Sequence, residues 1–215
     1  MKHVVTKHYL SHFYGALKSN KVEWDQLCSK IEALKANSSG ESNKKKLSEL
    51  SIRQTQVYFV IVILTNCMIE ALVNHYLANK CDAEQFEMLE RLSTLDKLAN
   101  VPKLLLKEYK SPKGEAFYED LTHLLSLRTS MVHSKPKVDI NGQIVHKGNL
   151  AKQISASTLT VDKCLSLPVR LVEHFCLYDH GGAFELRVYS GFDAADIKKI
   201  ISKVQAKSAE QRGAQ

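Results

Sequence analysis

Apolar positions recur at three- and four-residue intervals along most of the chain, the spacing of one face of an α-helix. Residues 4–18 and 22–36 predict two helices separated at Ser19-Asn20, the second with a stripe of Val22, Leu27, Ile31 and Leu34. The polar run 37–43 predicts a loop, and Lys44-Lys45-Lys46 opens the next segment. From Leu47 to Asn79 there is no Gly or Pro, and the middle is apolar on nearly every face, which predicts one long central helix. The β-branched residues within 57–65 would also suit a strand, but uninterrupted length selects the helix. The greasiest run, Val57 to Leu64, falls short of the roughly 18–20 apolar residues of a membrane span, so burial in a bundle is expected, with no membrane partner.

Residues 83–93 and 94–108 predict two shorter helices, with Pro102 early in a turn or at a break. After the loop at 111–114, Glu115 to Val132 predicts a second core helix through Phe117, Leu121, Leu124, Leu125 and Leu127. Pro136 disfavours helix at Lys135 and marks its exit. Val138 to Val145 reads as a small hairpin turned by Asn141-Gly142. Residues 158–178 predict a helix bent or interrupted at Pro168, 184–189 a short edge strand, and Ala194 to Lys207 a last amphipathic helix. The expectation is an all-α chain with three parts: an N-terminal helical extension (1–45), a helical domain (46–207) and a flexible tail (208–215).

Composition narrows this picture. With 44% hydrophobic and 25% charged residues among 215, and only four Pro and nine Gly, collagen-like and low-complexity classes are excluded. Five cysteines without a CxxC spacing support neither a zinc ribbon nor a redox motif. Cys67 and Cys164 read as small core residues, and a reducing, cytoplasmic setting is expected, the N-terminus having no signal-peptide core. A net charge of +7 permits a polyanionic partner without demanding one.

The stretch richest in chemistry is Leu127-Arg128-Thr129-Ser130-Met131-Val132-His133-Ser134-Lys135-Pro136. On a straight helix Arg128 and His133 stand about 140° apart, so they converge only if the helix unwinds near His133 or a second subunit completes the site. Their chemistry suits RNA self-cleavage. A histidine can exchange protons near neutrality, and an arginine can hold a phosphate and its developing charge. No metal or cofactor is required by that scheme.

This segment resembles the signature of HEPN domains, helical bundles whose families include metal-independent ribonucleases with an Arg, a polar residue, a short spacer and a His. More loosely, Ile69-Glu70-Ala71-Leu72-Val73-Asn74 is similar to the acidic first-helix segment of such domains. Leu92 to Leu98 and Pro102 to Leu105 are similar to a connecting segment found in some of them. The resemblance spans about 50–180. It implies a HEPN-like bundle, a homodimer in which Arg128 and His133 of both subunits build one cleft, and RNA as substrate. It also implies service in toxin–antitoxin or antiviral defence, with an antitoxin or nucleotidyltransferase-type partner protein. Thr129 departs from the Asn, Asp or His common after the arginine in active families; it can hydrogen-bond but not titrate. That departure favours the alternative, a non-catalytic HEPN-like module that binds RNA, a nucleotide or a protein.

Supporting residues are read with their plainer alternatives. Glu70, amid the most apolar helix, either orients Arg128 across the bundle or forms a structural ion pair; Asn74, one turn on, lines the same cleft. Arg128 is otherwise an ion-pair partner of Glu119 or Asp120, and His133 otherwise a helix C-cap. Arg170 and His174 form a rival pair that reads as an ordinary amphipathic helix. Between Lys97 and Lys152 ten basic residues face five acidic ones, which nominates Lys97, Lys135 and Lys137 for an RNA track. Tyr109, Phe117 and Tyr118 are candidates for base stacking, Phe117 with the spacing of a core residue. His75, His123 and His146 lack any metal-site spacing.

Overall fold

The computed structural model describes residues 3–36, 40–106, 109–132, 136–138, 144–146, 158–179 and 190–213. Among these, seven helices form: α1 (His3–Ala36), α2 (Glu41–Ala78), α3 (Ala83–Glu90), α4 (Thr94–Leu105), α5 (Ala116–Val132), α6 (Val161–Tyr178) and α7 (Ala194–Gly213). The protein is all-α in character. Two three-residue segments after α5, β1 (Pro136–Val138) and β2 (Ile144–His146), pair antiparallel with Lys137 opposite Val145. The Asn141-Gly142 turn and the edge strand expected at 184–189 lie outside the described residues.

α1 is continuous where two helices were expected. Asn20 donates its side-chain amide to the Ala16 carbonyl at 2.8 Å, a contact made within the helix rather than against it, and Lys21 pairs with Asp25 one turn on. Ser and Asn without Gly or Pro only weaken a helix, and packing overrides them here. Leu10, Tyr14, Leu17, Leu27 and Ile31 are buried, all but Ile31 in the cluster that includes the α2 core. Val22 is 58% exposed, against its expected place in the stripe. It stands five positions from both Leu17 and Leu27, about 140° around the helix from each.

α2 is the central helix. It begins at Glu41, earlier than the predicted Leu47, and contacts α1, α3, α4, α5 and α6. Val57, Tyr58, Ile61, Val62, Thr65, Met68, Ile69, Leu72, Val73, Tyr76 and Leu77 are buried along it. By length and composition α2 could cross a membrane, more than the Val57–Leu64 run alone suggests, and just over half of its apolar window is buried within the bundle.

Pro102 lies inside α4, and the helix continues through it. A proline has no N–H for the carbonyl four residues back, that of Leu98. The Tyr109 hydroxyl donates to that carbonyl at 2.9 Å and supplies the missing donor. Pro168 likewise sits inside an uninterrupted α6. Tyr76 of α2 stacks on Phe175 of α6 with centroids 4.2 Å apart, and the Tyr58 hydroxyl donates to the Leu159 carbonyl at 2.7 Å just before α6. α7 runs past the expected Lys207 to Gly213. It is tied to α1 by Tyr14 bonded to Asp196 and Lys18 paired with Asp193. Gly191 precedes it at φ +73 with its backbone against Ser11, where a Cβ would come within 2.7 Å of the Ser11 Cα; only glycine fits.

Candidate functional site

Arg128 sits one turn before the end of α5, half-buried, where α5 packs against α2. Among the described residues its guanidinium makes no ion pair or hydrogen bond. Asp120, one of the expected partners, is taken instead by Lys163 and Arg170 of α6, each at 2.8 Å. The charge of Arg128 reaches Cys67 on α2. There burial and the Glu70 carboxylate push the thiol up, and Arg128 pulls it back down. Cys67 is half-buried, less enclosed than the core residue expected; Cys164 is fully buried, its thiol pushed up to about 12 by burial and the nearby Asp120.

Glu70 is exposed, contrary to the expectation of a carboxylate enclosed by the apolar helix. It lies on the open arc of α2 with Val60, Ile63 and Cys67, spaced three and four residues apart, so solvent meets its charge. Asn74, one turn on, is half-buried and accepts from the Lys97 ammonium at 2.8 Å. Lys97 of α4 is 2% exposed and does not stand on a solvated track. Burial lowers its pKa, opposed by Glu70 and Glu90. One electrostatic neighbourhood therefore joins Cys67, Glu70 and Asn74 of α2 to Lys97 of α4 and Arg128 of α5.

Thr129 is exposed, and its hydroxyl donates to the Leu125 carbonyl at 2.8 Å, a bond internal to α5. His133 and Lys135 lie outside the described residues, and Lys137 is placed only as the middle of β1. Tyr109 and Phe117 are buried and Tyr118 is half-buried, so the first two belong to the core rather than to a base-stacking surface. His123 faces the Thr158 hydroxyl at 3.3 Å, and His75 is buried beside Asn79. No group of three His, Cys, Asp or Glu side chains suited to a metal ion occurs among the described residues.

The rival pair on α6 is drawn into the structure differently from Arg128. Arg170 bonds Asp120 and lies over the Phe117 ring at 5.7 Å. His174 is buried, with its Nε2 3.1 Å from the Tyr109 hydroxyl. Because that hydroxyl gives its one proton to Leu98, Nε2 is the donor in the contact. Sequence reasoning missed Asp120 and Tyr109 as organisers of this region. Their partners lie 43 and 50 residues away for Asp120 and 65 for the Tyr109–His174 contact, beyond any local pattern.

No protein family, curated protein or solved structure matches the chain.

Proposed function

We propose that the protein is a HEPN-like, metal-independent endoribonuclease of the cytoplasm that works as a homodimer. The observation that carries the reading is Arg128: a half-buried guanidinium at the end of α5 with no ion partner among the described residues, its charge acting on Cys67 on the open arc of α2. A cation with no partner among the described residues, in a partly desolvated place, suits an incoming phosphate. The open arc, with Val60 43% exposed, suits a second copy, which would bring its own Arg128 to the same cleft. In this reading the paired β1 and β2 form the hairpin after the active helix, and Lys135 and Lys137 guide the RNA strand.

His133 carries the proton chemistry. One imidazole takes the proton of the RNA 2′-hydroxyl as its oxygen bonds to phosphorus; the partner subunit's His133 protonates the 5′-oxygen as the P–O5′ bond breaks. Arg128 holds the non-bridging oxygens as charge builds on them. Toxin–antitoxin or antiviral defence is the proposed setting, with an antitoxin or nucleotidyltransferase-type partner.

Thr129 favours a second reading, a non-catalytic HEPN-like module binding RNA, a nucleotide or a protein, because its hydroxyl is spent on Leu125 within α5. The two separate on end-labelled RNA incubated with the protein in EDTA. The enzyme reading expects cleavage to persist, with products ending in a 2′,3′-cyclic phosphate. Cleavage that requires added metal would overturn it, and salt-sensitive RNA binding without cleavage would favour the binding module.

A further inference from the structure

Lys97 is the only buried lysine among the described residues, and its ammonium has one hydrogen-bond partner there, the Asn74 side chain at 2.8 Å. The charges of Glu70 and Glu90 reach it, but neither carboxylate pairs with it among the described residues. A desolvated ammonium with a single acceptor loses that acceptor only at high cost. An ammonium donates and never accepts, so the atom facing it is the amide oxygen Oδ1, and the reversed amide would set donor against donor.

Fixing Oδ1 fixes the other end of the amide. Asn74 Nδ2 makes no hydrogen bond among the described residues, yet it is open to solvent: Asn74 is half-buried, and the buried side-chain atoms left without a partner belong to Asn66 and Glu173. Asn74 stands one turn beyond Glu70 and two beyond Cys67 on the same arc of α2, about 10 Å along the axis from Cys67. The charge of Arg128 acts at Cys67. Arg128 therefore works at one end of this stretch of arc, and an amide with an unused donor stands at the other.

We propose that Asn74 Nδ2 donates to an acceptor oxygen of the RNA strand beside the phosphate held by Arg128, and that Lys97 is the positioning residue that aims it. This role rests on the RNA reading given above. It changes the part expected of Lys97: enclosed as it is, the lysine acts through Asn74 and does not touch RNA.

Fluorescence anisotropy of the full chain with a labelled single-stranded RNA of about 20 nucleotides, 2′-O-methylated so that it cannot be cleaved, tests the pair. Asn74→Ala and Lys97→Met should each weaken binding about fivefold or more. In the Asn74→Ala background Lys97→Met should cost nothing further, because its effect runs through the missing amide. Asn74→Asp keeps an acceptor for Lys97 and so guards the fold; it should lose affinity at least as far, and it decides the matter if circular dichroism shows Asn74→Ala unfolded. Wild-type affinity in folded Asn74→Ala or Asn74→Asp would overturn the proposal. So would an equal loss on Lys97→Met with and without Asn74, the mark of a cation acting by its charge alone. Cleavage by the wild type, with binding unchanged in Asn74→Ala, would sink this role and spare the nuclease reading. RNA bound through Asn74 but never cleaved would do the reverse, and a wild type that binds no RNA would overturn both.

Discussion

Asp120 holds two cations on one carboxylate, and that makes its contribution to stability depend on pH. Its side chain is 9% exposed, and although burial alone would raise its pKa, the hydrogen bonds from Lys163 and Arg170 hold it below 3.8. The contribution is therefore complete above 3.8 and is lost as pH falls through the lower folded value. Asp120→Asn should cost about 2 kcal/mol at pH 7, between an exposed pair and a fully buried one. Urea unfolding at a series of pH values should show that gap narrowing as the wild-type carboxyl protonates; a gap constant down to pH 3 would contradict the role given to its charge. Little of this was legible in the sequence. Arg128 stood out by its resemblance, but whether Asp120 would serve it or α6 depends on which helices meet. Glu70 and Lys97 exchanged their expected places for the same reason. Where α2 is apolar all round, its pattern carries no phase to say which arc faces out.

At the scale of elements, helices were legible and their ends and continuity less so. The long α2 and the core helix α5 follow from spacing alone, because many apolar residues at helical intervals leave no other way to bury them. Ser19-Asn20 and Pro102 are weak or strong breakers in isolation, yet both lie within helices, because a distant partner or a packed face offsets the local cost. For Pro102 the partner is Tyr109, whose hydroxyl serves the Leu98 carbonyl and meets His174. Tyr109→Phe removes only that oxygen and leaves two buried groups short of a partner, so it should destabilise by about 1–3 kcal/mol by chemical denaturation. A loss below a few tenths would mean that the carbonyl beside Pro102 is satisfied in some other way.

For the molecule as a whole, the all-α class was legible from helical periodicity and the scarcity of Gly and Pro, whereas assembly depends on surfaces that a single chain does not pair. The dimer reading rests on the open arc of α2. Val60→Glu puts a charge on that arc at an exposed position, so it should shift light-scattering mass from dimer to monomer, reduce cleavage and leave the melting temperature nearly unchanged. A wild-type protein that is monomeric at tens of micromolar would remove the two-subunit site. The most direct measurement for the central claim is single-turnover cleavage of labelled RNA by wild type, Arg128→Ala and His133→Ala, with RNA affinity measured alongside. The account predicts that His133→Ala loses roughly 10²–10⁴-fold in rate with affinity nearly intact, since a general acid–base acts in the transition state. Arg128→Ala should lose both rate and affinity, because it holds phosphate before and during reaction. Cleavage undiminished in His133→Ala would contradict the account.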